Sequence, residues 1–270
     1  MTDRHEAFRA LHRAGAPLLL PNAWDHASAA ALARAGFAAI GTTSLGVAAA
    51  AGKADATGAA REETVRLARG IARLPALITV DIEGGFSERP EDVAALAREL
   101  TAAGVVGVNI EDGRPDGTLT AVGAQSELIR AVKEAAPELF VNARTDAYWL
   151  DAGGAPEAER RTAAYQQAGA DGVFVPGVQD EAVIGGLVAA LDVPLNILYA
   201  PGTLSPARLA DLGVRRVSTG SLLFRAAVQQ AVDVAQEFAR GAAGPRDVLS
   251  YADAQDLATV YEGQVCEPGR

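Results

Sequence analysis

Short apolar runs and alanine-rich amphipathic segments alternate along the whole chain. The apolar runs are rich in aliphatic and β-branched residues and are continuous rather than alternating, which is typical of parallel strands covered on both faces. Eight such runs predict strands at residues 17–23, 38–44, 76–83, 107–112, 139–147, 172–177, 194–200 and 215–221. The pattern therefore indicates a parallel sheet with helices packed against it.

An amphipathic segment follows each predicted strand. Some of these segments carry a proline in their first turn, as at Pro90 and Pro206, and others end at a glycine, as at Gly104 and Gly213. Both features are usual at the ends of helices. The segments predict helices near residues 25–35, 61–73, 90–103, 124–136, 156–169, 180–190, 205–212 and 222–240.

Eight strand–helix units of this length match a (β/α)₈ barrel of the TIM type. A doubly wound open sheet is the alternative, but it usually has a glycine-rich first turn. Here the first turn reads PNAWDHAS. We therefore expect a single α/β barrel domain over residues 1–270, with residues 241–270 as a C-terminal extension that carries a short helix after Pro245.

Composition limits the class of partner. The chain has 24 Lys and Arg residues against 34 Asp and Glu residues, a formal net charge of −10. Nucleic acids and anionic membranes bind basic patches, so we expect neither as a partner. Cys266 is the only cysteine, and the charged N-terminal segment lacks the apolar stretch of a secretory signal. These features predict no disulfide framework and a cytoplasmic location.

Acidic residues lie at the ends of the third and fourth predicted strands, where a barrel carries its chemistry. They are Asp81, Glu83 and Glu111. Hard cations prefer oxygen ligands, and Mg²⁺ commonly takes one or two carboxylates while keeping several waters. The spacing predicts a Mg²⁺ site, with Mn²⁺ as the other candidate ion. The competing interpretation is that Asp81 and Glu83 cap the next helix and that Glu111 pairs with an arginine.

One arginine, Arg144, stands among the polar strand ends. A guanidinium can hold a carboxylate or a phosphate through two parallel hydrogen bonds, and it can equally form a salt bridge to Glu111 or Asp146. Ser44 precedes Leu45 and Gly46, so this segment could offer a hydroxyl and backbone N–H groups to an oxyanion. The candidate substrate-binding residues are Thr42, Ser44, Leu45, Gly46, Arg144 and Asn196.

Missing residue types disfavour two other reaction classes. The chain has only two lysines, Lys53 in a loop and Lys133 on a predicted helix, so a Schiff-base aldolase is disfavoured. No G-x-S-x-G elbow is present and no histidine is placed as a triad base, which disfavours serine hydrolysis. The remaining set suits a metal-held 2-oxo acid whose enolate is stabilised while a bond at C3 breaks or forms.

Four segments, in this order and spacing, resemble the isocitrate lyase / phosphoenolpyruvate mutase superfamily over residues 8–240. They read PNAWDHASAAALARAGFAAIGTTSLGVAAAAGKAD, VDIEGGF, GVNIED and VNARTDA. The resemblance implies a Mg²⁺-dependent barrel enzyme that makes or breaks C–C or P–C bonds through a pyruvate enolate or a related species. It also implies a homodimer or homotetramer in which the final helix is swapped between subunits.

The resemblance implies a role for each motif residue. Asp81 would be the main carboxylate of the metal, with Glu83 and Glu111 contributing directly or through water, and Asp55 would lie near the metal. The segment from Ser44 to Gly46 would hold the oxo acid and its oxyanion, and Arg144 would bind the substrate. The candidate catalytic residues are therefore Ser44, Asp55, Glu111 and Arg144.

The chain departs from the family pattern at several points. The K-[KR]-C-G-H loop of the lyases is replaced by EDGRPDGTLTAVGAQ, which has neither Cys nor His, and the longer gating loop of the phosphonate enzymes is also absent. The metal motif D-x-D reads Asp81-Ile82-Glu83, and Thr42 stands where other members place a large aromatic residue.

We therefore expect a Mg²⁺-dependent carbon–carbon lyase. Its substrate would be a small 2-oxo or 2-hydroxy di- or tricarboxylic acid, split by C–C cleavage or decarboxylation, with Asp116, Tyr199 or water as the proton donor. Three alternatives stay open. They are P–C bond chemistry on phosphonopyruvate, a barrel that binds a 2-oxo acid without catalysis, and a phosphate site at STGS, residues 218–221.

Overall fold

The nine strands in the described part of the computed structural model all run parallel in one sheet. The structure describes residues 3–241, 244 and 247–262, so Cys266 and Pro245 lie outside the described residues. The strands are β1 (Leu18–Leu20), β2 (Asn22–Ala23), β3 (Ala39–Thr42), β4 (Leu77–Asp81), β5 (Gly107–Glu111), β6 (Phe140–Arg144), β7 (Gly172–Phe174), β8 (Leu195–Leu198) and β9 (Arg216–Ser218).

The sheet closes on itself through its first strand. Pro21 lacks the N–H that a strand ladder needs, so the first predicted strand is split into β1 and β2. β1 pairs with β9 and β2 pairs with β3, and the remaining strands follow in sequence between them. The prediction of a (β/α)₈ TIM-type barrel is confirmed.

The Asn22 side chain stabilises the closed barrel through hydrogen bonds at the C-terminal ends of the strands. Its Nδ2 donates to the carbonyl oxygen of Thr42 at 2.7 Å, which ties β2 to β3. Its Oδ1 accepts from the backbone N–H groups of Thr219 and Gly220 at 3.1 and 2.9 Å, just after β9. One buried amide therefore joins β2, β3 and the end of β9.

Helices surround the barrel, and all eight predicted helices are present. Two further helices, α1 and α3, were not predicted, and α11 and α12 lie in the C-terminal extension. In the described residues the helices are α1 (Arg4–Arg13), α2 (His26–Arg34), α3 (Ser44–Ala50), α4 (Arg61–Ile71), α5 (Pro90–Ala102), α6 (Val122–Ala135), α7 (Gly154–Gln167), α8 (Glu181–Ala190), α9 (Pro206–Asp211), α10 (Leu222–Ala239), α11 (Tyr251–Asp256) and α12 (Thr259–Glu262).

α1 covers the N-terminal end of the barrel. Phe8 is completely buried, and the His12 ring stacks on Phe140 at the start of β6, with centroids 4.4 Å apart. The Nδ1 atom of His12 lies 2.9 Å from the carbonyl oxygen of Phe8. α1 therefore covers the start of β6 at the N-terminal end of the barrel.

The C-terminal helices differ in how closely they pack against the rest of the chain. α10 has no buried residue along its length. α12 instead contacts α2, where the Tyr261 hydroxyl donates to the carbonyl oxygen of His26 at 2.7 Å. None of the helices in the described part of the chain has the length and apolar character needed to cross a bilayer.

Candidate active site

A small cavity of about 100 Å³ lies at the C-terminal ends of the strands. Its lining combines acids, one arginine, amides and hydroxyls with a few apolar side chains, contributed by most of the strand ends and the loops that follow them. The lining residues are Asn22, Thr43, Ser44, Leu45, Asp55, Asp81, Asn109, Arg144, Trp149, Phe174, Pro176, Leu198, Ser218, Gly220 and Ser221.

Arg144, at the end of β6, is held on two sides by carboxylates. Its Nη1 lies 2.6 Å from Glu111 Oε2, and its Nε donates to Asp146 Oδ1 at 2.7 Å. The guanidinium carbon also lies 5.6 Å from the centre of the Phe174 ring. Both salt bridges that the sequence suggested are therefore formed, and the guanidinium still lines the cavity.

Asp81 ends β4 and is buried. Its backbone N–H donates to Thr42 Oγ1 at 2.9 Å, and its Oδ1 accepts from the backbone N–H of Glu83 at 3.1 Å. The helix that follows begins at Pro90, with Arg89 as its cap residue and no side-chain capping bond. The interpretation that Asp81 and Glu83 cap this helix is therefore wrong.

Glu83 has a left-handed backbone, with φ of +50°, which is uncommon for a residue that carries a Cβ. Its Oε2 accepts from the backbone N–H of Gly58 at 2.8 Å, so the side chain reaches the loop between α3 and α4. Asp55 lies on the same loop and lines the cavity. The extra methylene of Glu83, relative to aspartate, is thus used to bind this loop.

Burial controls the protonation of these acids. It raises the pKa of Asp81, with Arg144 opposing the shift, and raises that of Glu111 well above its usual range, again against Arg144. Burial also raises the pKa of Glu83 to about 7, although the Gly58 hydrogen bond opposes it. Burial alone would lower the Arg144 pKa, but Glu111, Asp146 and Asp81 raise it. The site therefore favours an added positive charge.

Three buried carboxylate oxygens near the cavity lack hydrogen-bond partners among the described residues. They are Asp55 Oδ1, Glu83 Oε1 and Glu111 Oε2, of which Glu111 Oε2 is ion-paired with Arg144. Such oxygens are the ligand type that Mg²⁺ and Mn²⁺ prefer. In the described chain, no three Asp, Glu, His or Cys side chains already converge as a closed metal cage. The donor set fits an ion that takes few protein ligands and keeps its waters.

The structure brings some of the predicted residues to the cavity and leaves others beside it. Those on the cavity wall are Ser44, Leu45, Asp55, Asp81 and Arg144. Four others contact this wall without lining the cavity, namely Thr42, Gly46, Glu83 and Glu111. Asn196 is completely buried, does not line the cavity, and donates to Ser218 Oγ at 3.2 Å.

Sequence reasoning assigned no role to several residues that line the cavity. Asn22 lies next to the end of its predicted strand, and Asn109 lies two residues before Glu111 and therefore on the same face of its strand. These positions were the signal available for them. Trp149 belongs to the loop after β6 and Phe174 ends β7; neither is marked by a motif. The STGS segment contributes Ser218, Gly220 and Ser221 to the wall.

The candidate proton donors and the lysines lie elsewhere. Asp116 is exposed and accepts from Thr118, and neither it nor Tyr199 lines the cavity. Lys53 pairs with Glu63 at 2.7 Å, and Lys133 pairs with Asp171 at 2.7 Å. The cavity wall in the described residues therefore has no His, Cys, Lys or Tyr side chain.

Comparison with known proteins gives consistent matches over most of the chain. A family model described as phosphoenolpyruvate phosphomutase matches residues 8–239. An uncharacterized protein of Mycobacterium tuberculosis is 40% identical over 259 residues, covering 96% of this chain and 98% of that protein. An oxaloacetate decarboxylase of Pseudomonas aeruginosa is 35% identical over 211 residues, covering 74% of this chain and 69% of that enzyme.

The fold matches solved structures as well. The crystal structure of phosphoenolpyruvate phosphomutase from Streptomyces platensis subsp. rosaceus superposes with a TM-score of 0.84 at 25% identity, and the match covers 96% of each chain.

Proposed function

Because the chain belongs to the phosphoenolpyruvate phosphomutase family, we propose that it is a Mg²⁺-dependent lyase that decarboxylates a small 2-oxo dicarboxylic acid of the oxaloacetate type. The superfamily inferred from the motifs is confirmed by the same match. The choice of substrate is supported by the 35% identity to the Pseudomonas aeruginosa oxaloacetate decarboxylase.

One observation carries the choice of reaction: the described cavity wall has no His, Cys, Lys or Tyr side chain, and its acids, Asp55 and Asp81, are assigned to the metal ion in this proposal. Retro-aldol cleavage of a 2-hydroxy acid begins when a base removes the hydroxyl proton. Decarboxylation of a 2-oxo dicarboxylate needs no such base, because the C3–C4 bond breaks as CO₂ leaves. The electron pair of that bond forms the C2–C3 enolate, with negative charge on the C2 oxygen.

The chain's own residues would bind and orient the substrate. Arg144 Nη1 and Nε are occupied by Glu111 and Asp146, so Nη2 is left for a substrate carboxylate. The Ser44 hydroxyl and the first-turn N–H groups of α3 would donate to the oxyanion, since Thr43 provides no side-chain cap for them. The cavity volume of about 100 Å³ limits the substrate to a small acid.

The acidic residues would hold the metal ion. Asp81, Glu83, Glu111 and Asp55 supply the carboxylates, and Asp55 Oδ1 and Glu83 Oε1 are the unpartnered oxygens that a cation would satisfy. When bound, Mg²⁺ or Mn²⁺ supplies positive charge that polarises the 2-oxo group and stabilises the developing enolate. The proton for C3 would come from water, because Asp116 and Tyr199 do not line the cavity.

The test is a substrate panel with the purified protein. Oxaloacetate, 2-hydroxy di- and tricarboxylic acids and phosphonopyruvate are each supplied with Mg²⁺ or with EDTA. Pyruvate, CO₂ and phosphate are measured, and heat-inactivated protein corrects for spontaneous decarboxylation. We expect Mg²⁺-dependent release of pyruvate and CO₂ from oxaloacetate.

The family description makes P–C bond chemistry the second candidate. Phosphate release from phosphonopyruvate, without enzymatic pyruvate formation from oxaloacetate, would contradict the decarboxylase proposal and favour that candidate. Metal-dependent binding of these acids without any turnover would instead favour a non-catalytic barrel.

A further inference from the structure

A fully buried arginine lies inside the barrel, beneath the cavity. Arg216 begins β9 and is 1% exposed. Its Nη2 donates to Asn109 Oδ1 at 3.0 Å, whereas its Nε and Nη1 have no hydrogen-bond partner among the described residues. No salt bridge found in the described chain includes it. A buried cation without a paired carboxylate is costly, so its single bond to Asn109 requires an explanation.

Arg216 determines which way the Asn109 amide faces. A guanidinium has only donors, so the atom that it contacts must be the amide oxygen. The Nδ2 of Asn142 donates to the same Oδ1 at 2.9 Å. Two donors therefore converge on this oxygen, and the Nδ2 of Asn109 is left without a partner among the described residues.

Asn109 also has the position required of a ligand contact. It lines the cavity, and on β5 it pairs in register with Asp81 on one side and Asn142 on the other. The acids around the cavity are acceptors only when ionised, so a neutral N–H donor beside Asp81 is chemically distinct from them. An unpaired donor on the cavity wall is satisfied when a ligand oxygen arrives.

We propose that Asn109 is a substrate-binding residue that donates its Nδ2–H to an oxygen of the 2-oxo acid, and that Arg216 is the positioning residue that fixes its amide in this orientation. This inference rests on the proposed function. The Asn109 amide would then contribute to the selectivity of the site for a ligand that offers an oxygen acceptor.

Oxalate is the probe for the donor role, because its planar pair of carboxylates has the shape and charge of a small enolate. Its Kd is measured by calorimetry in the presence of Mg²⁺ for wild type, Asn109→Ala and Gln166→Ala. Gln166 lies on α7, donates to Asp192 and does not line the cavity, so it controls for the loss of one amide. We expect Asn109→Ala to raise the Kd roughly 10-fold or more and Gln166→Ala to change it less than about 3-fold.

Arg216→Met and Arg216→Lys test the positioning role, after unfolding curves confirm that each variant is folded at the assay temperature. We expect Arg216→Met to raise the oxalate Kd and the KM roughly 10-fold with a smaller change in kcat. Arg216→Lys, which keeps a buried donor, should recover most of the affinity. If Arg216→Met does not fold, Arg216→Lys alone tests the positioning role. An oxalate Kd for Arg216→Lys that is raised as far as in Asn109→Ala would overturn that role.

The outcomes separate this inference from the function on which it rests. If wild type turns over oxaloacetate and binds oxalate while Asn109→Ala binds it equally well, the donor role is wrong and the proposed function stands. If a folded Arg216→Met binds oxalate like wild type, the positioning role is wrong. If wild type neither binds oxalate nor turns over the substrate panel, both proposals are overturned.

Discussion

At the scale of single residues, Arg144 contributes most to the candidate site. It forms ion pairs with both Glu111 and Asp146 and still reaches the cavity. Removing one partner from a buried ion pair leaves an uncompensated charge, which generally costs about 3–5 kcal/mol. The same side chain therefore links the stability of the acidic cluster to the binding of an anion.

Arg144→Lys should separate these two roles. Lysine keeps the charge but lacks the planar fork that contacts Glu111, Asp146 and a substrate carboxylate together. We expect the KM for the 2-oxo acid to rise roughly 10- to 100-fold, with some loss of stability. Steady-state kinetics and thermal unfolding measure the two effects. Arg160→Lys, at an exposed pair with Glu157, is the control; an unchanged KM in Arg144→Lys would contradict the assigned role.

Residue spacing predicted Arg144 and Asp81 as neighbours because polar strand ends converge in a barrel, whereas the place of Asp55 was implied only by the family resemblance. It could not predict what Glu83 does. Its positive φ turns the side chain to Gly58, and only the folded loop between α3 and α4 provides that partner. Nor could it separate Asn109 from Asn196, since both lie within a strand and only the folded structure shows that Asn109 lines the cavity and Asn196 does not.

At the scale of elements, α3 is the part of the site that the hydrophobic pattern missed. The helix has seven residues and begins two residues after β3 ends, so it is too short for a periodic signal. Gly46 allows its first turn to approach Trp24 closely. A Cβ at Gly46 would lie 2.7 Å from Trp24 Cβ and 2.8 Å from Thr43 Cγ2.

Gly46→Ala should therefore displace the first turn of α3. Overpacking of this kind costs roughly 1–3 kcal/mol, and the shift of Ser44 and Leu45 should lower kcat/KM. Denaturant unfolding and steady-state kinetics measure the two losses. Gly123→Ala is the matched control, because its Cβ meets nothing within 4 Å and lies in α6. Wild-type stability and activity in Gly46→Ala would contradict this description of α3.

At the scale of the whole molecule, α10 lacks the cover that the other barrel helices have. Val228 and Val232, one turn apart, are each nearly half exposed, and Phe238 is 80% exposed. The barrel itself follows from eight repeats of one pattern, which is why the sequence predicted it. The sequence pattern does not predict what packs on α10, because an exposed apolar face does not identify its partner.

We propose that α10 packs against another copy of the chain, as the family resemblance implies. Light scattering should give the mass of a dimer or tetramer, and Val232→Glu should lower that mass by placing a charge on the apolar face. Gln230→Glu, on the opposite side of α10, is the control. A monomeric wild type, or an unchanged assembly in Val232→Glu, would contradict the proposal.

The stability of the molecule should depend on pH through His12. Burial lowers its pKa to about 3, with Arg216 adding to the effect. The folded state therefore keeps the ring neutral while the unfolded state binds a proton below about pH 6.5. Protons favour the unfolded state in this window, so stability decreases as the pH falls. From pH 7 to pH 5 this residue should cost about 2 kcal/mol of unfolding free energy.

Denaturant unfolding at pH 7 and pH 5 measures this change. His12→Phe keeps an aromatic ring against Phe140 but cannot titrate, so its stability should change less over the same interval. The difference between the two pH dependences isolates His12 from the carboxylates of the site. Equal pH dependence in both proteins would show that His12 is not kept neutral by burial.

The central claim is that the acids at the ends of β4 and β5 hold a metal ion that a decarboxylation requires. It is tested most directly by the rate of pyruvate formation from oxaloacetate in the presence of Mg²⁺ for wild type, Asp81→Asn and Glu159→Gln. Glu159 lies on the exposed face of α7 and controls for the loss of one acid. We expect Asp81→Asn to lower the Mg²⁺-dependent rate about 100-fold or more, while Glu159→Gln stays within about 2-fold of wild type. Equal rates in wild type and Asp81→Asn would contradict the claim.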